Sequence, residues 1–96
     1  GEDESLISQQ ADVDDALIIE PCFIAADAII TNAVIGPFVS VGSKTVIRNA
    51  IVRNSVIQEE SLIENSLIEN SLIGNYSKVK GSFDELSLGD YSQIAL

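Results

Sequence analysis

Histidine, methionine and tryptophan are absent from this 96-residue chain, cysteine occurs once, proline twice, and only five residues are basic. Each shortage removes a class of function. Without histidine there is no imidazole base, no Ser–His pair and no histidine metal ligand. One cysteine excludes an internal disulfide framework. The five bases, Lys44, Arg48, Arg53, Lys78 and Lys80, form no dense run and face 15 acids, for a net charge of −10. That balance argues against nucleic-acid and membrane partners. Apolar residues make up 46% of the chain, yet never run long enough to span a bilayer. There is no Gly-rich phosphate loop and no charged-then-apolar leader at the start, so a cytoplasmic location is expected.

What is present is a beat. Ile, Val or Leu recurs every five or six residues at sixteen positions: Ile7, Val13, Ile18, Ile24, Ile30, Ile35, Val41, Ile47, Val52, Ile57, Ile63, Ile68, Ile73, Val79, Leu88 and Ile94. Two residues before nearly every beat stands a small residue, such as Ala16, Cys22, Ala33, Thr45, Ala50, Ser55 or Ser66. Val39 and Leu86 are the larger exceptions. A period near six, grouped in threes, marks a parallel β-helix. From Ile18 to Ile35 to Val52 is 17 residues each, and from Val52 to Ile68 is 16. Coils this short fit a triangular prism. The expected fold is all-β: a single-stranded left-handed parallel β-helix of about five triangular coils. The hand follows from coil length and family resemblance, as an exception to the right-handed rule for parallel crossovers.

The helix is expected over residues 7–96, after a flexible acidic segment at 1–6. Between Val79 and Leu88 the step stretches to nine residues, so a loop insertion is expected at about 80–87. The absence of an initiating Met fits a processed or cut-down chain.

Six of the steps are five residues long, and each carries Asn or Asp two after the beat: Asp15, Asn32, Asn49, Asn54, Asn65 and Asn70. A shortened corner drives one residue to positive φ, which Asn and Asp tolerate best after Gly. These side chains are therefore read as turn chemistry. The N-x-S triplet at Asn75-Tyr76-Ser77 is read as a chance match. The six-residue steps should relax this demand, and often carry Gly just after the beat: Gly36, Gly42, Gly74 and Gly89. Cys22 falls on the small inward position and is read as a buried core thiol.

Side chains alternate on a strand, so the residue before each beat points outward. Here it is mostly apolar. One column reads Leu17, Val34, Ile51, Leu67; a second Ile29, Val46, Leu62; a third Phe23, Ser40, Val56, Leu72. Monomers rarely leave such columns in water. At least one face should be buried by another copy or by a further domain, with Leu17, Val34, Ile51 and Leu67 as first choice. A homo-oligomer is expected, three prisms about a threefold axis being favoured. On this reading Ile51→Asp would leave the fold intact and weaken assembly. Just after the beat the outward positions are polar, and opposite charges one coil apart should pair as Arg48–Glu64 and Arg53–Glu69.

The run Ile18-Ile19-Glu20-Pro21-Cys22-Phe23-Ile24, then Val34-Ile35-Gly36-Pro37-Phe38-Val39-Ser40-Val41-Gly42, resembles the C-terminal β-helix of sugar-1-phosphate nucleotidyltransferases. The glucose-1-phosphate thymidylyltransferase-like branch is the most similar. The segment from Ser71 to Phe83, followed by Leu88-Gly89-Asp90-Tyr91-Ser92, resembles the end of the same domain. The resemblance covers nearly the whole chain from about residue 11. It implies a non-catalytic domain that sets quaternary structure and packs on the catalytic domain of the parent polypeptide. That catalytic domain uses Mg²⁺ and a Gly-rich loop, and nothing in this sequence corresponds to it. No catalytic, cofactor-binding or metal residue is therefore carried over. The alternative reading is a free-standing structural or adaptor β-helix that binds a protein partner through its outward apolar columns.

Overall fold

Cys22-Phe23-Ile24 and Ser55-Val56-Ile57 show the repeating unit: a small residue in, a large residue out, a β-branched residue in, with the outer two buried and the middle one exposed. A strand of three residues cannot hide its own inner face, so it is stable only when stacked on others. The computed structural model describes residues 6–82. Within them lie β1 (Leu6–Ile7), β2 (Asp12–Ile18), β3 (Cys22–Ile24), β4 (Ile29–Ile35), β5 (Val39–Val41), β6 (Val46–Arg53), β7 (Ser55–Ile57), β8 (Leu62–Glu64), β9 (Leu67–Glu69), β10 (Leu72–Ile73) and β11 (Lys78–Lys80).

Every pairing is parallel. One sheet runs β1-β3-β5-β7-β10; the other runs β11-β8-β6-β4-β2, with β9 also on β6. The long strands β2, β4 and β6 bend at Asp15, Asn32 and Asn49, all at positive φ. The second sheet thus wraps a corner and supplies two faces. Ile7, Ile24, Val41, Ile57 and Ile73 stand in one paired column, which gives a parallel β-solenoid of about four turns. Of the expected loop at about 80–87, Lys80 still belongs to β11; residues 83–87, the beats at Leu88 and Ile94 and the acidic residues 1–5 lie outside the described residues.

The core is the beat. Ile30, Ile47 and Ile63 stack fully buried on one face, and Ile24, Val41 and Ile57 on another. Each such side chain contributes roughly 1.5–3 kcal/mol of burial. Thr45, Ser55, Ser61 and Ser66 share this interior, and each hydroxyl finds a carbonyl. Thr45 Oγ1 donates to Gln58 O at 2.7 Å, Ser61 Oγ to Gly74 O at 2.8 Å, and Ser66 Oγ to Glu64 O at 2.8 Å. Among the described residues no buried side-chain N or O lacks a partner.

All six predicted corner residues have φ between 48 and 56°. Their amides also stack: Asn32 Nδ2 donates to Asn49 Oδ1 at 3.1 Å, and Asn49 Nδ2 to Asn65 Oδ1 at 2.7 Å. Asn54 donates likewise to Asn70. Replacing Asn49 with Ala should cost about 2 kcal/mol in urea unfolding, from the left-handed backbone and the broken ladder together. Asn49→Gly should recover the backbone share; equal losses for both would mean that φ is not the constraint.

Five of the seven six-residue steps among the described residues are not relaxed, contrary to expectation; the steps from Ile7 to Val13 and from Ile18 to Ile24 are. Asp27, Phe38, Lys44, Glu60 and Tyr76 also take positive φ. At the corner after the first sheet, backbone N–H groups reach the preceding coil: Lys44 N to Ala26 O, Glu60 N to Ser43 O and Tyr76 N to Glu59 O. Meeting those carbonyls imposes the kink whatever the step length. Among the described glycines only Gly36 has a positive φ, at 108°. Gly42 serves a close approach instead, because a Cβ there would lie 2.7 Å from backbone atoms of Gln58 and Glu59.

Candidate interaction surface

Outward positions are fixed by register, and the three expected columns form as read. Leu17, Val34, Ile51 and Leu67 pair in series, as do Ile29, Val46 and Leu62. Leu6 joins the third, ahead of Phe23, Ser40, Val56 and Leu72. The columns differ in what water reaches. Val34 is 0% exposed and Ile51 6% within the single chain, so the middle of the first-choice column has no area left for a partner. Leu17 is half-buried, and Leu67 at the end of the column is exposed. In the second column Ile29 is exposed while Val46 and Leu62 are half-buried.

The third column is the open one. Leu6, Phe23, Val56 and Leu72 are all exposed large side chains. Its five strands contain no charged residue at all. The other sheet carries Asp12, Asp14, Asp15, Arg48, Arg53, Glu64, Glu69, Lys78 and Lys80. In a chain with net charge −10, one face is thus both apolar and neutral.

Phe38 borders this face and adds to the contrast. It is 64% exposed and sits at φ 61°, a conformation that is an outlier for a bulky residue. The cost of that backbone, on the order of 1–2 kcal/mol, is not offset by burial within the chain. Phe38, Val56 and Leu72 line one shallow depression with Asn54 and Asn70, and Phe38 lines another with Phe23 and Pro21. Sequence reasoning ranked this column below the Leu17 column because Ser40 interrupts it; it also gave Phe38 no outward role, since Phe38 lies at a corner and off the beat.

The charged columns behave as expected. Arg48 Nη2 lies 2.8 Å from Glu64 Oε2, and Arg53 Nε 2.9 Å from Glu69 Oε2. Lys80 Nζ approaches Glu64 at 3.8 Å. Exposed pairs of this kind add little stability each, but they oppose slippage by one coil.

Reactive chemistry is sparse. Among the described residues no group of three or more His, Cys, Asp or Glu side chains could hold a metal ion, and no helix is long and apolar enough to cross a membrane. Cys22 is fully buried, as expected, with Sγ 2.9 Å from Ile19 O and 3.5 Å from Ile35 O. Burial pushes its thiol pKa above the ordinary value. Folding therefore disfavours the thiolate, and the chain loses stability as pH rises from the unfolded thiol's pKa toward the raised folded one. Thiol-reactive dye should leave native Cys22 unlabelled for hours at neutral pH and label it within minutes in denaturant. Rapid labelling of the folded chain would place Cys22 outside the core.

No family model, curated protein or solved structure matches the chain.

Proposed function

We propose that this chain is the non-catalytic assembly domain of a sugar-1-phosphate nucleotidyltransferase, a left-handed β-helix that self-associates, three copies being favoured, and packs on the catalytic domain of the same polypeptide. The carrying observation is the charge-free apolar face bearing Leu6, Phe23, Val56 and Leu72. Such a face is rarely left in water, and an acidic protein is best joined through a surface without charge, where like-sign repulsion is least. The coil length of 16–17 residues along paired columns supports the left hand. The two family-like segments, 18–24 and 34–42, lie one above the other through β2–β3 and β4–β5, as homologous coils should.

On this reading the chemistry belongs elsewhere in the polypeptide. Mg²⁺ and nucleotide would be held by the catalytic domain, and the cell compartment would be the cytoplasm. The prism contributes geometry: it fixes the spacing and orientation of the catalytic units that it joins.

The intact mass of the native polypeptide in its source cells tests the assignment. A mass several-fold above 10.3 kDa, with nucleotidyl transfer from a nucleoside triphosphate to a sugar 1-phosphate and release of pyrophosphate, is expected. A native mass near that of this chain would overturn it and leave a free-standing adaptor. For the face itself, Val56→Asp should leave the circular-dichroism spectrum unchanged and lower the sedimenting mass. An unchanged mass would remove this face from assembly.

A further inference from the structure

Ser40 leaves a gap of definite shape in the open apolar column. It stands in register between Phe23 and Val56. With Pro21 and Phe38 at the margin, these side chains bound a pit of about 140 Å³. An apolar space of that size takes one phenyl ring. Phe38 lies two residues before Ser40 in the same coil and turns its own ring to solvent, at 64% exposure. Its backbone is held from both sides: Phe38 N donates to Pro21 O at 2.7 Å, and Ser55 N donates to Phe38 O at 3.0 Å. The ring is thus a knob on a fixed mount, at a φ of 61° that a bulky residue adopts only with strain. Pit and knob both belong to the middle of the solenoid, where β5 is paired with β3 on one side and β7 on the other.

We infer that the occupant of this pit is the Phe38 ring of a second copy, three copies closing a ring in which each lays Phe38 over Ser40 of the next. This rests on the self-association proposed above and names the residues that carry it. Charge, size and height all favour a second copy. Chains that each carry a net charge of −10 approach most easily through the charge-free strands β3, β5 and β7. The phenyl ring matches the pit in size. Rotation about an axis parallel to the solenoid keeps each coil level with the same coil of its neighbours, and knob and pit share one coil. The contact joins different surfaces on the two copies, so rotation closes it into a ring. The three Phe38 rings then gather near the axis, each beside Phe23 of the next copy, where aromatic pairs gain from edge-to-face packing. A ring already fixed in place loses little freedom on docking.

Sedimentation of the chain and two variants, across a range of concentrations, tests this. The unsubstituted chain should reach the mass of three copies. Phe38→Asn supplies a residue that accepts the left-handed backbone, and Ser40→Phe fills the pit from within. Each should keep the circular-dichroism spectrum and associate roughly thirtyfold more weakly, as loss of a buried aromatic anchor does. Benzoylphenylalanine placed at position 38, in a mixture of isotopically light and heavy chains, should couple on irradiation to Phe23, Ser40 or Val56 of another copy, giving peptides of mixed label. A chain that stays at one copy at every concentration overturns the inference together with the self-association beneath it. Association that both variants leave unchanged, or coupling that falls elsewhere, overturns the inference alone and moves assembly to another part of the surface. A mass of two copies does the same, since a twofold at equal height sets Ser40 against Ser40 and leaves the pit empty.

Discussion

Ile47→Asp should unfold the middle coils, losing on the order of 4 kcal/mol or more, a large share of what a chain of this size possesses. Ile47 is completely buried between Ile30 and Ile63 in the inward column. A carboxylate there would be stripped of water with no cation beside it, and even its neutral form would lack hydrogen-bond partners. Far-UV circular dichroism and urea titration read the outcome. Val56→Asp is the matched control. It too replaces an aliphatic residue in the middle of a strand, but its side chain faces solvent, so the melting curve should barely move. If Val56→Asp unfolds the chain and Ile47→Asp does not, the inward register is off by one residue. The earlier expectation for Ile51→Asp changes: at 6% exposure, Ile51 points away from the prism yet lies out of water. Its replacement should therefore cost stability as well as any assembly.

Gly36→Ala should be nearly as damaging, with a loss of about 3 kcal/mol or more. A Cβ on Gly36 would fall 1.9 Å from Ile19 O and 2.7 Å from Cys22 Sγ, at φ 108°. The first contact is with backbone of the preceding coil, which cannot move without shifting the β2–β4 pairing. The second is with a fully buried thiol. Backbone strain and steric overlap therefore act together. Gly74→Ala supplies the comparison, since a Cβ there meets nothing nearer than 3.8 Å. It should change the urea midpoint little. Equal effects of the two substitutions would show that Gly36 is not clamped between coils.

These glycines show how far the sequence carries. Gly36, Gly42 and Gly74 occupy the same place, one residue after a beat, and are equivalent in the pattern. In the fold Gly36 needs its φ, Gly42 needs its missing Cβ, and Gly74 needs neither. The difference lies in which atoms of the coil 16–17 residues away come near, and a local pattern does not encode that. The corners divide the same way. Asn and Asp announce positive φ through their composition, so Asp15, Asn32, Asn49, Asn54, Asn65 and Asn70 were legible. Lys44, Glu60 and Tyr76 carry no such mark, because their left-handed backbone is imposed by hydrogen bonds to the coil before.

The sequence by itself determined the coil, the inward register and the cross-coil ion pairs. Strand side chains alternate with a period of two, and the beat repeats every five or six residues; together they leave one way to place Ile47 inside and Arg48 beside Glu64. Tertiary structure alone decided which outward column meets water. Val34 and Val56 are the same residue type at the same point of the repeat, yet one is fully buried and the other exposed. Exposure is set by everything packed around a side chain in three dimensions, and it leaves the charge-free column of Leu6, Phe23, Val56 and Leu72 in water.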